Sequence, residues 1–247
     1  MAKKASTFTL DRHPVVSREK WLAARTRLLA KEKAFTHARE RLAAERRALP
    51  WVKVDKEYVF EGSNGRETLA ELFAGRSQLV IYHFMFDPRH KEACHGCSFW
   101  ADNFNGIIVH LNQRDVTMLA VSRAPLKKLD AFKARMGWNF KWVSSGGSDF
   151  NYDYHVSFTD EEVKKGKAYH NYRKNHEVWQ RDAPGISVFY KDAGGLVFHT
   201  FSCFKRGIDM QNTAYQYLDL VPKGRDEANL EFPMAWLDYH DKYADRT

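Results

Sequence analysis

Two thiols, Cys94 and Cys97, are separated only by His95 and Gly96. That spacing suits dithiol–disulfide exchange, in which one thiolate attacks a substrate disulfide and the other resolves the mixed disulfide. It also suits soft metal ligation, since two thiolates with His83, His90 or His95 would offer a donor set for Cu(I) or Zn. A third reading leaves the thiols inert. The chain has no second Cys-x-x-Cys and no histidine pair at clean ligand spacing, so exchange is favoured and no metal ligand or cofactor is assigned. From Cys97 onward Trp100, Ala101, Phe104, Ile107, Ile108 and Leu111 recur at intervals of three and four, the period of a helix with one buried face. The thiols then fall on a first helical turn, where free N–H groups and the positive end of the macrodipole favour thiolate. Cys94, at the very start, is expected to be the nucleophile and Cys97, one turn deeper, the resolving thiol. His95 is either a cation that tunes Cys94 or a solvent-facing spacer.

The elements that must hold this pair are legible on both sides of it. Leu79–Phe86 is a nearly unbroken apolar and aromatic run, as expected of a strand buried on both faces. Val116–Ser122 is the next strand, and Leu126, Leu129, Phe132 and Met136 mark a helix stopped at Gly137. This β-α-β-α order predicts parallel pairing, with chemistry at the carboxyl ends of the strands. Earlier, Trp51–Val54 and Tyr58–Phe60 read as short strands, followed by an Asn64-Gly65 turn. Thr68 and Glu71 form a capping box for a short helix over Leu69–Phe73. Residues 142–182 read as an irregular insertion with one helix near Asp160–Lys167. Ile186–Tyr190 and Leu196–Phe201 predict an antiparallel hairpin across Asp192–Gly195. A last helix is expected from near Asp209 through Tyr217 and Leu220, and a tail carrying Met234–Leu237 is expected to dock on the surface. Cys203 reads as a half-buried thiol, with a third redox role as the alternative.

Of the 247 residues, 44% are apolar and 28% charged, ordinary globular usage rather than disordered composition. No apolar run reaches membrane-spanning length, and the opening Met1–Phe8 lacks the apolar segment of a secretory signal, so no membrane partner and a cytoplasmic location are expected. Three cysteines are too few for a disulfide scaffold. The net charge of +8 lies entirely in residues 1–50, which hold thirteen Lys or Arg against five Asp or Glu; the remainder is balanced. Within this arm Ser17 can cap a helix running to about Ala48, and Trp21, Leu28, Phe35 and Leu42 repeat every seven residues along it. The stripe is expected to be buried against the domain or a second subunit, making a homodimer through the N-terminal helix. No nucleic-acid motif accompanies the basic residues, which read as a solvated face. The expected organisation is a helical arm over 1–49, a domain over 50–221 and a C-terminal tail over 222–247.

Several stretches resemble a known family. The order of elements is that of the thioredoxin superfamily. Tyr58–Gly75, Ser148-Asp149 and Tyr154-His155-Val156 resemble its peroxiredoxin-like branch. Closer still, Cys94–Phe104, the Val-Ser-Arg-Ala-Pro of 121–125, the Ser-Asp-Phe-Asn-Tyr-Asp of 148–153 and the Pro-Lys-Gly-Arg-Asp-Glu of 222–227 are similar to the bacterial thioredoxin-like family termed domain of unknown function 899, from about His13 to Tyr243. The resemblance implies an α/β thioredoxin-like fold, a central mixed sheet flanked by helices, here with a long N-terminal helical arm. It further implies a redox-active dithiol acting on a protein or small-molecule disulfide with an unidentified electron donor. Pro184 resembles the cis-proline that faces a thioredoxin's dithiol and contacts substrate, the alternative being a trans proline that starts a strand. His83 occupies the strand where thioredoxins keep a buried proton acceptor, and is either that base or a hydrogen-bonded core residue. Lys91 stands where peroxiredoxins place a threonine, which argues against the usual peroxidase site. The remaining functional alternatives are a metal-binding or copper-delivery protein using Cys94, Cys97 and a nearby histidine, and a non-catalytic interaction module built on the arm.

Overall fold

The computed structural model describes residues 13–243. The Met1–Phe8 opening lies outside the described residues. The chain divides into two compact units after Pro50. Among the described residues, no helix is long and apolar enough to cross a membrane.

The first unit is one helix, α1 (Arg18–Arg47), rich in Ala, Leu, Arg, Lys and Glu and free of Gly and Pro. Ser17 caps it, its hydroxyl accepting from the Lys20 N–H at 3.4 Å, and Glu19 and Arg46–Arg47 sit at the ends that suit their charge. No residue of α1 is buried. Trp21 is 47% exposed and Phe35 58% exposed, so the stripe is not buried by the helix that carries it. The helix is long enough to be carried by its own backbone hydrogen bonds.

The second unit is built on an eight-stranded sheet. Its strands are β1 (Val52–Lys53), β2 (Val59–Gly62), β3 (Gly65–Thr68), β4 (Gln78–His83), β5 (Val116–Ser122), β6 (Trp142–Ser144), β9 (Gly185–Lys191) and β10 (Val197–Phe204). The spatial order is β1-β10-β9-β4-β5-β6-β2-β3. Strands β4, β5 and β6 are parallel, whereas β9 runs antiparallel to β4 and β10 antiparallel to β9. A parallel β-α-β pair joined edge to edge with a hairpin in this order is the thioredoxin-like fold. Alternation along β4 divides the core in two: Tyr82 packs on one face with Phe84, Cys97, Trp100 and Trp142, and Leu79 and Ile81 pack on the other with Phe73, Leu119 and Phe150. Helices α2 (His95–Ala101), α3 (Phe104–Asn112) and α4 (Leu126–Arg135) make the crossovers.

Several expected boundaries move. The helix expected to run from Cys97 to Leu111 is interrupted at Asp102–Asn103, and Ile107 lies exposed beyond the break. Asp102 is drawn into side-chain bonds with Trp138 and His240, and Asn103 turns back on Phe99 and Trp100. The Leu69–Phe73 helix shrinks to a 3-10 turn over Glu71–Phe73, yet Thr68 and Glu71 make both reciprocal capping bonds. Residues 142–182 are more ordered than expected. Trp142–Ser144 is a core strand, α5 (Phe150–Asp153) and α6 (Asp160–Lys165) follow, and β7 (Lys167–His170) pairs with β8 (Arg173–Glu177) in a separate hairpin. The tight turn of that hairpin takes Asn171 and Tyr172 to positive φ rather than using glycine, which hides it from a search for turn residues. The last helix splits into a 3-10 segment, Lys205–Gln211, and α7 (Thr213–Leu218).

Candidate active site

Cys94 is the N-cap of α2. Its sulfur accepts from the Cys97 N–H at 3.5 Å, in the place that a serine or aspartate oxygen takes at other helix starts. Its own N–H donates to the Met85 carbonyl, which ties the helix mouth to the chain leaving β4. Hydrogen bonding from the Cys97 thiol, aided by the backbone N–H groups of Cys97 and Gly96, outweighs burial and lowers the Cys94 pKa to about 7. Cys97 behaves oppositely. It is 1% exposed, and burial, then the neighbouring Cys94 sulfur, push its pKa well above the ordinary thiol value. The Met85 N–H reaches the Cys97 sulfur at 3.4 Å. One thiol is thus prepared as thiolate while its neighbour stays protonated behind it. Cys203 is half-buried beside the same core cluster.

Around the pair the structure separates residues that the sequence left together. His83 is buried but lies on the far face of β4, stacked near Phe150 and Tyr154 and bonded through Nε2 to Ser187 Oγ at 2.7 Å. Burial, with a small contribution from His199, lowers its pKa to about 3, so the ring is neutral. It is not brought to the thiols. The side chain on the Cys97 side of β4 is Tyr82, which shares the core cluster and the cleft with that thiol and whose buried hydroxyl has no hydrogen-bond partner. Pro184 does line the same cleft as both thiols. Its peptide bond is not cis as expected: among the described residues there are no cis peptide bonds. The entry to β9 is set instead by Gly185, which pairs with both His83 and Phe204, and by the anchored Asp182. His95 turns towards the C-terminal tail, its ring 4.1 Å from that of Tyr239 and its Nε2 3.7 Å from Asp238. Among the described residues no group of three or more His, Cys, Asp or Glu is arranged to hold a metal ion.

A buried ion network backs the cleft. Arg123, at the carboxyl end of β5, donates to Asp87 Oδ2 and to Asp182 Oδ1, both at 2.8 Å, and Ser157 Oγ donates to Asp182 at 2.7 Å. Arg89 adds a two-pronged contact to Asp87. Burial raises the Asp87 pKa, but the hydrogen bonds and charge of Arg89 and Arg123 prevail and hold it below the usual carboxylate range. This network pins three chain segments: the exit of β4, the end of β5 and the turn before Pro184.

The sequence from residues 10 to 243 matches one family model, described as a bacterial protein of unknown function, DUF899. The chain belongs to the DUF899 family. No curated protein matches it. Among solved structures, this DUF899 chain is similar to a mutant of peroxiredoxin Q from Xanthomonas campestris, at 18% identity and TM-score 0.44, covering 66% of this chain and 90% of that one. It is similar also to the peroxidoxin BcpB from Mycobacterium tuberculosis, at 12% identity and TM-score 0.44, with the same coverage of 66% and 90%. The mitochondrial 2-Cys peroxiredoxin of Plasmodium falciparum gives 14% identity and TM-score 0.39 over 68% of this chain and 92% of that one.

The DUF899 site also includes parts that the residues alone did not assign. The tail crosses the mouth of α2: the Tyr239 hydroxyl donates to the Ala93 carbonyl at 2.6 Å, and Met234 lies so close over Gly96 that a Cβ there would meet its methyl at 2.6 Å. Any side chain at this position of the Cys-x-x-Cys would push the Met234 methyl aside. Arg123 and Asp87 carried one usable signal, since both follow predicted strands at the ends where α/β sheets place their chemistry. Tyr82 carried none beyond its place in an apolar run.

Proposed function

We propose that this protein is a thiol–disulfide oxidoreductase in which Cys94 attacks and Cys97 resolves. The observation that carries the reading is the asymmetry of the pair. A half-buried Cys94 sulfur capped by backbone N–H opens into a cleft, with a fully buried thiol one turn behind it. The Cys94 thiolate attacks one sulfur of a substrate disulfide, forms a mixed disulfide and expels a thiolate, which takes up a proton. Cys97 then loses its proton, attacks the Cys94 sulfur and expels the second substrate thiol. Two protein thiols are oxidised and one substrate disulfide is reduced; a second dithiol returns the electrons. Tyr82, rather than His83, shares the Cys97 side of β4, and its unpartnered phenol O–H is the donor available to the Cys97 thiolate as it forms. Pro184 forms part of the surface met by the substrate. The Arg123 network holds that surface in register with the thiols.

Timed alkylation with iodoacetamide across a pH series, read by mass spectrometry, tests this. Cys94 should label first, with a rate that climbs with pH and levels above about 7, because the thiolate is the reacting species. Equilibration in a glutathione series should protect Cys94 and Cys97 together. In a Cys94→Ser background, Tyr82→Phe should slow Cys97 labelling roughly tenfold, the value of one hydrogen bond to a charged group. Faster labelling of Cys97 than of Cys94, or two alkylatable thiols at every poise, would sink the assignment.

A further inference from the structure

The dithiol opens into a cleft of about 1270 Å³. That exceeds the roughly 300–1,000 Å³ typical of small-molecule pockets. Much of its apolar lining comes from outside the elements that carry the thiols: Phe232, Met234 and Leu237 of the tail, Trp179 after β8, Pro184, and Ile208. Trp179 is 73% exposed and Phe232 56% exposed, so two large rings are left open to whatever enters. The tail wall is fixed along its length. Glu227 accepts from the Tyr215 hydroxyl, the Met234 N–H and the Trp236 indole, Tyr239 is buried against Ala93, and Arg135 holds Asp241 with two bonds.

Charge gives the second constraint. The four carboxylates lining the cleft are matched by four Lys or Arg side chains. Arg89 is held by Asp87, Arg206 by Asp209 and Arg181 by Asp160. Lys205, the fourth, lies over the Trp179 ring, so the lining is balanced in formal charge and its open rings reward apolar groups on either side of the scissile bond. Because Cys97 is fully buried and Cys94 is half-buried in the cleft lining, a disulfide carried on a slim segment fits the approach better than one on a folded surface.

We infer that this cleft selects disulfides flanked by apolar residues within an extended polypeptide segment, with the C-terminal tail as the selecting wall. The inference rests on the dithiol reading above. Mixing the reduced full-length protein with three probes separates the two. The probes are a linear peptide bearing a disulfide flanked by Phe and Val, the same peptide with Glu flanks, and bis(2-hydroxyethyl) disulfide. Each rate is normalised to that of free dithiothreitol with the same probe. The apolar peptide should exceed the acidic one on the order of tenfold. Phe232→Ser and Trp179→Ser, both at exposed positions, should shrink that ratio several-fold. Equal normalised rates for the two peptides, or a ratio that neither variant moves, would overturn the selectivity while leaving the dithiol chemistry standing. Failure to reduce any probe, bis(2-hydroxyethyl) disulfide included, would overturn both.

Discussion

Helices α1 and α2 begin with similar local signals and end in opposite circumstances. Each has a side-chain acceptor at its N-cap, Ser17 in one and Cys94 in the other. The arm helix then runs for 30 residues without burying one, whereas the dithiol helix is only 7 residues long and buries Cys97, Ser98, Trp100 and Ala101. A seven-residue helix has too few internal bonds to persist alone. It exists because Trp100 is clamped in the core, its indole donating to the Ile208 carbonyl at 2.9 Å, and because the tail closes over its first turn. The arm needs no such support to form, although its stripe of Trp21, Leu28, Phe35 and Leu42 lies exposed. The thiols lie on the supported helix, where burial raises the pKa of Cys97 and neighbouring donors lower that of Cys94.

Truncating the clamp is the strongest way to break this contrast. Trp100→Ala should lower the stability of the domain by about 3–5 kcal/mol, measured by urea unfolding, through loss of a buried aromatic and an orphaned Ile208 carbonyl. A loss below about 1 kcal/mol would mean that α2 is held locally after all.

A smaller effect comes from acid. The buried His83 has a folded pKa of about 3 against 6.5 for the free side chain, so the unfolded chain takes up its proton first. The stability it supports is complete above pH 6.5 and is lost as pH falls towards 3, by up to about 1.4 kcal/mol per pH unit. Thermal unfolding of the domain at pH 7, 5 and 4 should follow that slope, and His83→Gln should flatten it. An unchanged slope in the variant would show that other groups set the acid limit.

The smallest change is expected in the arm. Leu28→Ala with Phe35→Ala should leave the unfolding of the domain within about 0.5 kcal/mol, as for other exposed sites. The seven-residue stripe, if it pairs with a second arm as its spacing suggests, should make the parent protein a dimer by light scattering and the double variant a single chain. A parent that already has the mass of one chain would refute the pairing and favour an acidic partner for the basic helix.

Much of this molecule is readable without coordinates, because the signals act within a few residues. The Thr68–Glu71 caps, the helix start at Cys94 and the strands β4, β5, β9 and β10 each depend on periodicity or on hydrogen bonds that span one turn or one short loop. Alternation along β4 even implies that Tyr82 and His83 face opposite ways. Which of the two meets the thiols is a different matter. It depends on the side of the sheet to which α2 is returned, and that is settled by Trp100 and its distant partners. The same holds for the Arg123 bonds to Asp87 and Asp182, 36 and 59 residues away in the chain, and for Tyr239, 146 residues from Ala93. Contacts at such separations leave no spacing in the sequence, since any compact packing of the same elements would satisfy the local rules equally well. Only closure of the tertiary structure, which buries these charges and rings against one another, determines that the tail becomes a wall of the dithiol cleft and that Met234 lies over Gly96.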